Sequence, residues 1–170
     1  MTSIQKTDLS PEPGSDGNDN RNKIYTDKAR ALCASREYCI SDIRSRLETW
    51  GVHNSDTQEA IIGTLISEKF LDEQRYASAF ARDRLRYNKW GKIKIEWSLK
   101  MKGVAGECIT EAIAGIDEDE YRETAERLIQ SLVKSKKAEN RQLLKAKILK
   151  SMQAKGFEYS VTGEIVKRYV

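Results

Sequence analysis

One histidine, three cysteines and no apolar run approaching the ~20 residues of a membrane-spanning helix leave this 170-residue sequence little material for catalysis or insertion. His53 stands beside a helix-stop glycine, where a solvated loop residue is expected. Cys33, Cys39 and Cys108 are odd in number and share no ligand spacing, so reduced, idle thiols are expected rather than a disulfide framework or a metal site. No glycine-rich phosphate loop and no H-E-x-x-H pattern occurs. The acidic run Glu118-Asp119-Glu120 reads as the opening of a helix, where carboxylates favour the dipole. No signal-peptide apolar segment follows the N-terminus. The expectation is a cytoplasmic protein that is not an enzyme and needs no cofactor or metal.

What is abundant is charge, 33% of residues, unevenly spread around a net +4. From Arg75 to Lys102 nine basic residues face only Asp83 and Glu96, and from Lys134 to Lys155 eight face only Glu139. The rest of the chain is net acidic. Two concentrated positive stretches on an acidic background point to a polyanion or an acidic protein groove as partner.

The stretch Leu71 to Val104 sets the pattern for the rest. Asp72 reads as an N-cap, with Leu71 and Tyr76 at the hydrophobic-staple positions around it. Ala77, Phe80, Ala81 and Leu85 recur at helical spacing, Ile95 and Leu99 continue on a second helix, and Gly103 supplies a left-handed stop. This unit repeats. Gly51-Val52, Gly103-Val104 and Gly156-Phe157 lie 52 and 53 residues apart; Leu47, Leu99 and Met152 stand four before each glycine, and Ile43, Ile95 and Ile148 eight before. The expected architecture is all-α: three tandem three-helix repeats in an elongated, curved array. A disordered tail over residues 1–23 would precede repeats at 24–70, 71–116 and 117–170. Expected helices are 26–36, 41–50 and 55–68; 72–87, 91–102 and 105–115; and 118–135, 138–155 and 159–169, with Ser55 and Gln58 forming a capping box. Units of ~50 residues bury little surface alone, so stacking must stabilise them.

Candidate interaction residues concentrate in the middle unit. Arg75, Arg82 and Arg86 project away from the apolar face of their helix. The following loop interleaves Tyr87, Lys89, Trp90 and Lys92 with Lys94 close behind, so its cations could hold phosphates while Tyr87 or Trp90 stacks a base; the alternative is that both rings cover the unit's own core. In the third unit Arg141 and Lys145 belong to a run that could track a phosphate backbone. Ile93, Trp97 and Met101 form a second apolar stripe that the sister units lack, either packed against a neighbouring repeat or left as a docking face rimmed by Lys94 and Lys100.

The run Leu71-Asp72, Tyr76-Ala77, Phe80-Ala81, Arg84, Gly91, Lys94-Ile95, Leu99 and Lys102-Gly103-Val104 resembles the central motif of the RecX family, and the threefold repeat resembles that family over nearly the whole chain beyond the tail. Lys92 stands where the family often has proline, and Ser98 where it has an acidic residue. The resemblance implies a monomeric regulator of the RecA recombinase. It would bind along the groove of the RecA–single-stranded-DNA filament and restrain ATPase, strand-exchange and co-protease activity in DNA repair and the SOS response. The competing expectation is a helical repeat that binds single-stranded nucleic acid without RecA.

Overall fold

A computed structural model describes the backbone of residues 16–170 and side chains from residue 20 onward. Its elements are α1 (Asp16–Ser35), α2 (Ile40–Thr49), α3 (Ser55–Ser67), α4 (Glu73–Arg86), α5 (Lys92–Met101), α6 (Gly106–Ala114), α7 (Glu118–Ser135), α8 (Arg141–Ala154) and α9 (Tyr159–Val166). Among the described residues there is no strand, and the helices group in threes. The chain is an all-α array of three-helix units.

The glycine repeat has a local cause. Gly51, Gly103 and Gly156 sit at φ +88°, +71° and +86°, the left-handed region that a side chain disfavours. The N–H of the residue after each glycine reaches back to the carbonyl of Leu47, Leu99 or Met152, at 2.9, 3.2 and 3.1 Å. The same residues pair their side chains: Val52, Val104 and Phe157 are buried, as are Leu47, Leu99 and Met152. Each middle helix therefore ends in a Schellman motif with its hydrophobic contact.

Helix starts are capped by side chains. Asp72 accepts the Arg75 N–H at 2.8 Å, and Leu71 and Tyr76 are buried on either side, as the staple pattern requires. At α3 the expected Ser55–Gln58 box is absent. Asn54, one residue earlier, accepts the Thr57 N–H at 2.9 Å, and Gln58 turns inward to donate to the Val52 carbonyl at 2.7 Å. Asparagine caps as well as serine, so the earlier residue captures the helix start. α1 opens at Asp16 rather than near Thr26, within the stretch expected to be a tail, and residues 1–15 lie outside the described residues. Its added turns are polar and carry no apolar period to announce them.

Two cores result. Ala29, Ile43, Leu47, Ile61 and Leu65 close the first unit, with Leu71 from the start of the second packed among them. The second and third units share one core, running from Phe80, Leu85 and Leu99 through Tyr121 and Ile129 to Ile148 and Phe157. α4 packs on both α6 and α7, which makes the last two units a single packed body. The first unit contributes the buried Cys39 to that shared core and is clasped to it by polar ties: Ser41 donates to the Lys102 carbonyl at 2.6 Å, Lys102 pairs with Asp42 at 2.8 Å, and Arg75 with Glu37 at 2.6 Å. Burial disfavours the Asp42 charge, but the Lys102 hydrogen bond and field outweigh it and hold the carboxyl below its usual range.

Candidate interaction surface

α5 carries the most distinctive surface of the molecule. Its inner face is the pair Ile95 and Leu99, both fully buried. Its outer face is Ile93, Trp97 and Met101, which are 54%, 62% and 68% exposed. Spacing of four residues keeps the three side chains on one side of the helix. No neighbouring repeat covers them, and the reason lies in how α5 is held. The third unit grips its N-terminus: Gly91 N–H donates to Lys155 O at 2.8 Å and Ile93 N–H to Gly156 O at 3.1 Å. The first unit grips its C-terminal end through Lys102. Both neighbours hold the helix by its ends, so its flank stays open. The stripe continues into a groove of about 610 Å³ lined by Ile93, Leu149, Phe157 and Tyr159. Tyr159, 69% exposed, was not singled out by periodicity because it opens a short helix whose signal comes from Val161 and Ile165.

The cations of the middle unit divide into ties and free groups. Arg75 donates to the Lys69 and Phe70 carbonyls at 3.3 Å besides its pair with Glu37, fixing the start of α4 to the first unit. Arg86 makes a two-pronged contact with Glu120 at 2.7 and 3.0 Å. That hydrogen bonding lowers the Glu120 pKa and raises that of Arg86. Lys92 pairs with Glu118 at 2.6 Å and lies 4.6 Å from the centre of the Tyr121 ring. The acidic run at the start of α7 thus receives two cations from the middle unit in addition to favouring its own dipole.

The two loop rings part company. Trp90 packs against the shared core between Arg84 and Lys94, whose charged ends stand 5.1 and 4.7 Å from its ring centre. Tyr87 is 80% exposed. Arg82, Lys89 and Arg141 are exposed, Lys145 is half-buried, and among the described residues none of the four has a carboxylate within 4.0 Å. The structure therefore brings Arg86, Trp90, Lys92 and Lys94 together as scaffold at the seam of the last two units. Ile93, Trp97, Met101 and Tyr87 remain on the surface with Arg82, Lys89 and Arg141, the Lys89 ammonium donating to the Arg86 carbonyl, while Lys145 is half-buried.

Behind this seam Tyr121 is fully buried, its hydroxyl donating to Glu158 and accepting the Lys92 N–H at 3.1 Å. Burial, and then the bond to Glu158, push its pKa upward. Tyr121→Phe strands both partners. The expected loss is about 1–3 kcal/mol of stability, read as a lower urea midpoint with unchanged helicity.

Residues 72–113, which include α4, α5 and all but the last residue of α6, match the family model described as RecX, second three-helix domain. Among curated proteins the chain is 32% identical over 127 residues to regulatory protein RecX of Lactobacillus johnsonii, covering 75% of this chain and 46% of that protein. The chain belongs to the RecX family. Regulatory protein RecX of Clostridium botulinum is 29% identical over 130 residues, covering 75% of this chain and 60% of the relative. The chain thus spans about half the length of these curated relatives. The crystal structure of RecX from Lactobacillus salivarius superposes with a TM-score of 0.79 at 19% identity, covering 88% of this chain and 97% of that one. At that identity the likeness speaks for the RecX fold. Lys92, at the position where proline was the family expectation, uses an N–H that proline lacks, donating it to Tyr121. Among the described residues no helix is long and apolar enough to cross a membrane.

Proposed function

We propose that this chain restrains the RecA recombinase by docking along the groove of the RecA–single-stranded-DNA filament, catalysing nothing itself. Membership of a family whose relatives are named regulatory proteins supports a regulator. The observation that carries the docking is the open flank of α5. Ile93, Trp97 and Met101 are held in the solvent by a helix gripped at both ends, and a monomer seldom keeps such a patch without a partner. Arg82, Lys89, Arg141 and Lys145, which have no carboxylate within 4.0 Å among the described residues, supply attraction toward a polyanionic filament. Because the second and third units share one core, they reach across the filament as a unit and hinder the protomer motion that hydrolysis requires. The working site is the cytoplasm, the chain acts as a monomer, and its effect extends to strand exchange and co-protease activity in DNA repair and the SOS response.

The test is RecA ATPase on single-stranded DNA. Stoichiometric chain is expected to lower the rate severalfold; an unaltered rate refutes the reading. A second reading, direct binding to single strands without RecA, is favoured by Tyr87, an exposed ring beside Lys89 that can stack a base. Under it, affinity for naked strand equals or exceeds that for RecA-coated strand.

A further inference from the structure

We propose that the cleft between the first and second units is a binding site for the phosphodiester backbone of a nucleic-acid strand. The cleft encloses about 600 Å³ and includes Arg36, Arg46 and Arg84 among its walls. Two of these guanidiniums are pre-positioned. That of Arg36 lies 4.6 Å from the ring centre of Tyr38, and that of Arg84 4.7 Å from the ring centre of Phe80. Both rings are buried beneath them. A guanidinium stacked on an aromatic face loses little further freedom on binding and keeps the N–H groups of its edge for an anion.

The charge balance of the cleft favours an anion as well. Of its carboxylates, Asp42 is taken by Lys102 and Glu37 by Arg75, leaving Asp83. Among the described residues no carboxylate lies within 4.0 Å of Arg36, Arg46 or Arg84, and Arg84 spends one donor on Asn88 at 3.0 Å. Three forks against one remaining carboxylate exceed what a single acidic side chain of a protein would satisfy. A strand with one charge per nucleotide engages them in succession. The aromatic rings are covered, so the site holds backbone rather than stacking bases on them and reads no sequence. A strand lying there also bridges the two units, adding to their polar ties and to the packing of Cys39, and fixes the first unit on the second.

This inference does not rest on RecA, and its test contains none. Anisotropy of a fluorescein-labelled fifteen-residue oligo-dT is followed against full chain over a range of salt, with wild type, Arg36→Gln/Arg46→Gln and the single Arg46→Gln. Arg84 is left intact because it also packs on Trp90. The double variant is expected to bind about tenfold more weakly, with a log affinity–log salt slope shallower by about 1.4. The single variant changes the slope by about half as much, and keeps the test open if Arg36→Gln unfolds the chain. Arg127→Gln on α7, outside the cleft, leaves both quantities unchanged. Unchanged affinity and slope in Arg46→Gln and in the double variant overturn the proposal, as does a wild type that fails to bind the oligonucleotide. Loss of binding to polyglutamate with oligo-dT binding intact also overturns it, and reassigns the cleft to an acidic protein segment.

Discussion

Gly91→Ala will pry the third unit away from the second. Gly91 has φ −80° and ψ 166°, a backbone any residue adopts, so the penalty comes entirely from space. A Cβ there would stand 2.2 Å from the carbonyl carbon and oxygen of Gly156 and 2.3 Å from the nitrogen of Phe157. All three are main-chain atoms, which cannot rotate aside. The reciprocal approach is as close: a Cβ on Gly156 would meet Lys94 Cβ at 2.3 Å. The two glycines let α8's C-terminal turn lie against the start of α5, where its carbonyls accept two N–H groups that lack partners within the helix. Forcing the backbones apart removes those two bonds and overpacks the shared core, at a cost of about 3 kcal/mol or more. Gly103→Ala is the control. Its φ of +71° is unfavourable, yet nothing lies within 4 Å of the added atom, so about 1–2 kcal/mol is expected. Urea unfolding followed by far-ultraviolet circular dichroism separates the two. Equal losses in both variants would contradict the backbone contact.

Trp97→Glu will leave the fold intact and abolish most of the proposed inhibition of RecA. Trp97 is 62% exposed on a helix whose stability comes from Ile95 and Leu99 on the other side, so the change in stability should fall within about 0.5 kcal/mol. At a docked interface the same ring, flanked by Ile93 and Met101, would be the large apolar anchor. Replacing such an anchor typically costs 2 kcal/mol or more, which corresponds to about a 30-fold higher concentration for half-inhibition. Circular dichroism and the ATPase titration read the two effects independently. An unfolded variant would mean that the ring supports the core, and undiminished inhibition would move docking away from α5.

How much of this was legible depended on the range of the interaction. The Gly51, Gly103 and Gly156 repeat could be read because a Schellman motif ties each glycine to a leucine or methionine four residues before it, all within one turn of chain. The Asp72 cap and its staple were local in the same way. The pairing of Gly91 with Gly156 was hidden, since it joins backbones 65 positions apart and leaves no residue-type signature beyond the glycines themselves. The cations were visible as a patch but their partners were not. Glu118 and Glu120 satisfy a helix dipole and also receive Lys92 and Arg86, and only the fold distinguishes one role from two. The α5 stripe stayed ambiguous for a related reason. Periodicity shows that Ile93, Trp97 and Met101 share a face, while whether that face is covered depends on which end of the helix each neighbour grips.

Co-sedimentation with RecA filaments tests the central claim most directly. Full chain is spun with RecA-coated single-stranded DNA and, separately, with the same DNA uncoated, at one salt concentration. The expected result is retention by the filament with an affinity about tenfold or more above that for bare strand. Equal retention by bare strand, or a chain left in the supernatant in both cases, would contradict it.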